Sequence, residues 1–175
     1  MKHLLLLLTL LVAVTESKTQ DRFFLARNSI QLDIPAPTVY SLSYERILAE
    51  SKKIAWSSRI GLGVKGGIPP RQGIYFDFAG ITTKRKHHFE AGVQFAYFRQ
   101  KTTPPYPQFI IAEPFIPSVS ASSRLGYRFQ RPNSGWIFRA NAMFELLHSD
   151  FIDGRIKPKI SVPIPWPVLT IGRSF

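Results

Sequence analysis

The chain has 175 residues, enough for one domain with a sizeable core, and carries 23 Lys and Arg against 11 Asp and Glu, a formal charge of +12. It has no cysteine, which excludes disulfides, a lipidated N-terminal cysteine and Cys-based metal sites.

Residues 1–17 have the three parts of a secretory signal: Met1, Lys2 and His3 make a short positive start, an apolar run from Leu4 to Val14 is interrupted only by Thr9, and Thr15, Glu16 and Ser17 supply a polar, small-residue end. The run is shorter than the about 20 residues that span a bilayer. A cleaved signal over 1–17 and a mature domain over 18–175 are expected, and no later stretch is long and apolar enough for a membrane helix. The positive charge survives cleavage, because Lys2 and Glu16 cancel. For an exported chain this charge points to phosphate-rich lipid headgroups rather than to nucleic acid, with plain solubility as the alternative.

Beyond the signal the dominant pattern has period two, the mark of strands whose successive side chains face opposite ways. Ile30, Leu32 and Ile34 alternate with Gln31 and Asp33, and Pro35, Ala36 and Pro37 then make a turn. Tyr40, Leu42 and Tyr44 oppose Ser41, Ser43 and Glu45. In the clearest case Ile54, Trp56, Ile60, Leu62 and Val64 share a face with Ser58, while Ala55, Ser57, Arg59, Gly61, Gly63 and Lys65 share the other. Ile74, Phe76 and Phe78 oppose Tyr75, Asp77 and Ala79. Phe89, Ala91, Val93, Phe95 and Tyr97 oppose Glu90, Gly92, Gln94 and Ala96. Phe115, Val119, Ala121, Leu125, Tyr127 and Phe129 oppose Ser118, Ser120, Ser122, Arg124, Gly126 and Arg128. Trp136, Phe138, Ala140, Ala142 and Phe144 oppose Arg139, Asn141 and Glu145, and the last strand runs over 166–175 to the terminal Phe175.

The connections decide the parity. Those over 49–53, 84–87 and 131–134 are short and polar; those over 66–73, 101–114 and 149–165 are longer and mostly proline-rich. Outer-membrane barrels have short periplasmic turns, longer external loops and an even strand number. If the connection at 49–53 is periplasmic, an upward strand must precede the one that enters it, and the weak segment 29–34 becomes that first strand. The fold expected is all-β: an eight-stranded antiparallel transmembrane β-barrel after a cleaved signal peptide.

Alternation alone does not say which face is outside. The non-apolar face combines small residues with charges of both signs, Arg59, Asp77, Glu90, Arg124, Arg128, Arg139 and Glu145, which suits the narrow, side-chain-filled interior of eight strands. Aromatics near strand ends, Tyr40, Tyr44, Trp56, Tyr97, Tyr127, Phe129, Trp136 and Trp166, fit interfacial girdles. Phe175 completes the final alternation as the terminal aromatic that many such barrels carry, the element expected to engage the barrel-assembly machinery.

The stretches SLSYERIL, SSRIGLGVKGG, KRKHHFEAGVQFAYF, SSRLGYRFQRPNSGWIFRANAMFE and PWPVLTIGRSF resemble a family of small, uncharacterised outer-membrane β-barrel proteins of Gram-negative bacteria, over most of 29–175. The resemblance implies an outer-membrane location and no established activity or catalytic residues. The chain departs from the pattern at Arg173, where Tyr would suit better; an arginine near the periplasmic rim can snorkel.

Few constellations carry chemistry. His148, Ser149 and Asp150 follow the seventh strand, and a lipid hydrolase would need His148 and Ser149 to converge; sequence neighbours on a strand diverge, which favours a polar loop start. His87 and His88 beside Lys84, Arg85 and Lys86 read as a solvated basic turn rather than a metal site, since three cations oppose a metal. Glu45, Asp77, Glu90 and Glu145 read as interior partners of Arg59, Arg124, Arg128 and Arg139 rather than as a general acid and base. Gly61 and Gly63 flank Leu62 inside a strand and make no phosphate loop. The segment 101–114 is the most function-like loop. Arg71, Lys101, Arg155, Lys157 and Lys159 fall in expected external loops and could meet lipopolysaccharide phosphates.

These observations lead to an expected monomeric, non-enzymatic outer-membrane barrel of structural, adhesive or surface-binding role with a filled lumen. No catalytic, metal or cofactor residues are expected, and the expected partners are outer-membrane lipids, including lipopolysaccharide phosphates, and the barrel-assembly machinery, without nucleic acid. The alternatives are an outer-leaflet lipid-modifying hydrolase and a soluble exported ligand-binding β-domain.

Overall fold

A computed structural model of the chain describes residues 23–35, 39–65, 71–83, 86–101, 115–133, 135–152, 155–160 and 164–175. The segment read as a signal and the loop residues 102–114 lie outside the described residues. Among the described residues there are nine strands: β1 Asn28–Pro35, β2 Val39–Glu50, β3 Ile54–Lys65, β4 Arg71–Thr82, β5 His87–Lys101, β6 Phe115–Gln130, β7 Gly135–Ile152, β8 Arg155–Ile160 and β9 Pro165–Ser174. Each pairs antiparallel with the next through β7, and β9 pairs with both β7 and β1, so the sheet closes into a barrel of eight staves.

The eighth stave is made of two pieces. β9 covers the lower part of β7, from Gly135 opposite Ser174 to Phe144 opposite Pro165, and β8 covers its upper part, from Leu147 opposite Ile160 to Ile152 opposite Arg155. The expected loop over 149–165 is therefore corrected: most of it is strand. Two features hid it. A bulge between Ala121 and Ser122 pairs Ala121 with Leu147 and Ser122 with Glu145, so the inward set of β7 changes from odd to even positions and the alternation breaks there. Pro158 also argues against a strand, but among the described residues β8 pairs on one side only, where a missing N–H is tolerated. Arg71, Lys101, Arg155, Lys157 and Lys159 accordingly stand in β4, β5 and β8 rather than in loops.

The weak first strand is present and closes the barrel. Ile30 lies opposite Arg173 and Leu32 opposite Ile171, and Asn28 and Phe175 exchange backbone N–H···O bonds of 3.2 and 2.9 Å. At the far side of the 131–134 turn, Gly135 has φ 127°, a left-handed conformation that favours glycine.

The burial pattern settles which face is outside. Ile30, Leu42, Ile60, Leu62, Ile74, Phe95, Leu125 and Leu169 are exposed, while Gln31, Ser43, Glu45, Arg59, Asp77, Glu90, Arg124, Arg128 and Thr170 are buried. The apolar row thus faces outward and the polar row lines the interior, the reverse of a soluble sandwich. Trp56 stacks on Phe78 across the outer wall at 5.4 Å. Trp166 instead falls on the same alternation as Thr170 and Ser174, the inward set, and is half-exposed at the head of β9; the count of two from Thr170 places it off the outer row.

The rim where the described chain begins and ends is closed by a short apolar plug that the sequence pattern did not reveal. Residues 23–27 cross beneath the strands. Phe24 is fully buried against Ile47, Ala55 and Ile81, with Phe23 packed beside it. The segment is tied down at both ends: Glu50 accepts the Phe23 and Phe24 amides, Pro132 O accepts those of Leu25 and Ala26, and Ile47 N donates to Arg27 O at 2.8 Å. Phe24→Ala is expected to cost about 3–5 kcal/mol, measured by urea unfolding in detergent or lipid, whereas the exposed Leu25→Ala should change stability by less than about 0.5 kcal/mol.

Candidate functional site

The interior is the most organised chemical feature of the molecule, and it is built by inward alternation. Glu45, Arg59 and Asp77 lie directly opposite one another on β2, β3 and β4. Small inward residues around them leave the room that long side chains need. Gly61, for example, sits under the Tyr75 ring, and a Cβ there would overlap it.

The charges form one alternating chain. Asp33 receives Arg59 Nη1 at 3.0 Å, and Arg59 Nη2 reaches Asp77 at 3.0 Å. Asp77 Oδ1 also accepts from Arg124 Nη2 at 3.0 Å, and Arg124 Nε stands 2.8 Å from Asp77 Oδ2 as an ion-pair contact. Arg124 Nη1 donates to Glu90 at 2.5 Å. Arg128 and Arg139 stand between Glu90 and Glu45: their distances to Glu90 Oε2 are 3.8 and 3.6 Å, and to Glu45 Oε2 2.9 and 2.5 Å. Four arginines and four carboxylates therefore compensate one another, all of them buried.

Neutral groups complete the shell. Ser41, Tyr75 and Thr170 hydroxyls donate to Asp33 at 2.7, 2.7 and 2.6 Å. Gln31 Nε2 donates to Glu45 at 2.8 Å, and Gln130 accepts from Arg128. The Tyr75 ring also lies beneath the Arg59 guanidinium, 5.3 Å from its centroid. Every one of the four carboxylates faces arginine, which leaves this cluster suited to cross-linking strands rather than to proton transfer.

Three expectations about these residues change. Glu145 is not part of this chain: it is the last odd inward position of β7 before the bulge, opposite Ser122, and lies 3.2 Å from His148 Nδ1. Asp33 takes the fourth carboxylate place, and its inward position was legible from its alternation with Ile34 and Leu32. His88 is not in a solvated turn. It is buried, bonds the carbonyls of Thr82 and Gln130 at 2.5 and 3.3 Å, and packs on Phe23 and Phe24. Its even spacing from Glu90 puts it on the inward set. His87 faces outward, against Tyr127.

His148 and Ser149 do not converge. His148 Nε2 lies 3.1 Å from Asp150, on the inward even positions above the bulge, while Ser149 shares the alternation of the exposed Leu147. Among the described residues no group of His, Cys, Asp and Glu is arranged to hold a metal ion.

No family model and no curated protein sequence matches the chain. Among solved structures, a major outer membrane protein from Thermus thermophilus superposes over 85% of this chain and 98% of its own, with a TM-score of 0.55 and 14% identity. The N-terminal β-barrel domain of Pseudomonas aeruginosa OprF covers 85% and 96%, at a TM-score of 0.46 and 11% identity. The first of these likenesses is one of fold, the closed eight-stave antiparallel barrel.

Because Glu45 neutralises two arginines at once, Glu45→Gln should be among the most damaging interior changes. A loss of about 3–5 kcal/mol is expected from the uncompensated buried cations, read from denaturant midpoints in lipid. Replacing Arg128 by Met in the same chain should restore part of it.

Proposed function

We propose that this protein is an integral barrel of a bacterial outer membrane, with a structural or surface-binding role and no catalytic step of its own. The observation that carries the reading is the inverted burial. A wall of exposed Leu, Ile, Val and Phe side chains surrounds a buried polar interior, an arrangement that water disfavours and a hydrocarbon solvent favours. The terminal strand ending on Phe175 would be the segment engaged during assembly. The rim with short turns and both described chain ends would face the periplasm, and the longer connections the exterior.

Within this reading the lumen carries no solute. An apolar plug closes one end, and the cross-braced arginines fill the middle. Function then falls to the outer surface and to the strand ends at the rim of the longer connections, where Arg71, Lys101, Arg155, Lys157 and Lys159 stand in β4, β5 and β8 and would meet the phosphates of lipopolysaccharide, and the protein would act as a monomer in the bilayer.

Two measurements test this. The mature chain should fractionate with outer membranes and show heat-modifiable gel mobility; recovery in the soluble periplasm without detergent would sink it. Leu62→Arg, on the outer wall, should cost about 2–4 kcal/mol in lipid if Leu62 sits near the bilayer midplane. On a water-exposed surface the same change would move stability by no more than about 0.5 kcal/mol.

A further inference from the structure

The lower outer wall carries two arginines where an apolar side chain would be expected. Arg46 on β2 follows the outward set Tyr40, Leu42 and Tyr44, and Arg173 on β9 lies between Leu169, Ile171 and Phe175; both are exposed. The register brings them together on either side of β1. Arg173 pairs across to Ile30 and Arg46 to Asn28, one outward position lower. Two strand spacings sideways and two residues along β1 separate their backbones, about 12 Å.

Neither arginine has an ion-pair partner among the described residues, in contrast to the four in the lumen. Between them stand polar groups that the wall does not otherwise need: Asn28 accepts a 2.7 Å hydrogen bond from the Tyr44 hydroxyl through Oδ1, so its side-chain NH₂ remains a donor. Trp136, directly opposite Arg173 on β7, bounds the patch and is exposed. The acceptors there, Asn28 Oδ1 and the Phe175 carbonyl, are already engaged by the Tyr44 hydroxyl and the Asn28 amide, which leaves two guanidinium groups and an amide donor, framed by aromatics, to match an anion carried on a lipid.

We propose that Arg46 and Arg173, with Asn28 between them, seat the phosphate of an anionic glycerophospholipid in the leaflet at the turn rim, which on the membrane reading above is the periplasmic leaflet. The turn cations Lys52, Lys53, Lys86 and Arg131 are exposed at the same rim and add a diffuse field, whereas the two wall arginines supply the specific contact.

Trp136 provides the probe. A chain retaining only this tryptophan (Trp56→Phe, Trp166→Phe) is inserted into phosphatidylcholine bilayers, and brominated phosphatidylglycerol or brominated phosphatidylcholine is titrated in. Phosphatidylglycerol should quench Trp136 at lower mole fraction. Each arginine contributes about fivefold in relative association, so Arg173→Gln should reduce the preference about fivefold and Arg46→Gln with Arg173→Gln about 25-fold. Lys52→Gln with Lys53→Gln, checked like the others for heat-modifiable mobility, should keep it.

Equal quenching by the two lipids in the parent chain would overturn the proposal. So would an equal loss in the lysine variant, since the charge would then be diffuse. Displacement by millimolar inorganic phosphate would also overturn it, by showing a plain anion site. Absence of quenching by either lipid would show that the wall is not in the bilayer, and would sink the membrane reading itself.

Discussion

The structure depends on one run of alternating charges through the lumen. From Asp33 it passes through Arg59, Asp77, Arg124, Glu90, Arg128 and Arg139 to Glu45, and Thr170 bonds back to Asp33. Those residues come from every one of the eight staves. The ladder of backbone hydrogen bonds joins each strand only to its neighbours; this run joins strands across the diameter. Arg128 on β6 meets Glu45 on β2, and Arg124 on β6 meets Asp77 on β4. A slip of one residue in any stave would turn its charge outward and orphan a partner inside. The network therefore specifies register as well as filling space. That role follows from the large penalty for a lone buried charge, not from any large net gain of the intact pairs.

The same constraint explains the division of the interior into layers. Charged side chains need room and partners, and the small inward residues Gly61, Gly92, Gly126 and Gly172 supply the room. Below the charges the requirement reverses. The end at the short-turn rim must close without further polar partners, and Phe24, Ile47, Ala55 and Ile81 do so with an apolar plug. His88 sits at the boundary, its ring against Phe23 and Phe24 and its nitrogens toward the carbonyls of Thr82 and Gln130. The strand ends there are joined to the plug through backbone bonds from residues 25–28, so the closure of the sheet and the closure of its lower mouth are one structural event.

Much of this was legible in the sequence because period-two alternation is a local property. The strands from β2 to β7, their outward apolar rows and the inward positions of Arg59, Asp77, Glu90, Arg124, Arg128 and Arg139 could all be read directly. β1 required parity, since six residues of weak alternation say little alone. What could not be read is non-local. The bulge opposite Ala121 and Ser122 shifts the inward set of β7, and no residue in the run from Glu145 to Asp150 announces it. β8 looks like a loop because Pro158 is admissible only with an unpaired side, a fact about neighbours rather than about sequence. Residues 23–27 have no period, so their burial depends on the cavity that the strands create. His88 escapes for a different reason: its parity is visible, but the basic turn beside it is the simpler home. Asp33 was legible on the inward alternation of the first strand, but its arginine partner was not.

The balance inside the lumen also bears on the charge outside it. Four arginines and four carboxylates cancel there, so the whole formal excess of +12 lies elsewhere on the chain. The four lumen carboxylates do not balance it, and self-repulsion makes it a modest cost to the compact state. An uncompensated excess of this kind is most simply explained by an external field of opposite sign. A bilayer bounded by phosphates offers one at each rim, and interfacial arginines there lose little hydration while their alkyl stems stay on the apolar wall. Arg46 and Arg173 fit that account better than the solubility alternative, because a cation placed for solubility gains nothing from standing in the apolar outer row between Ile171 and Phe175. On the proposed membrane reading, their position marks the level of the wall where the solvent would change from hydrocarbon to headgroup.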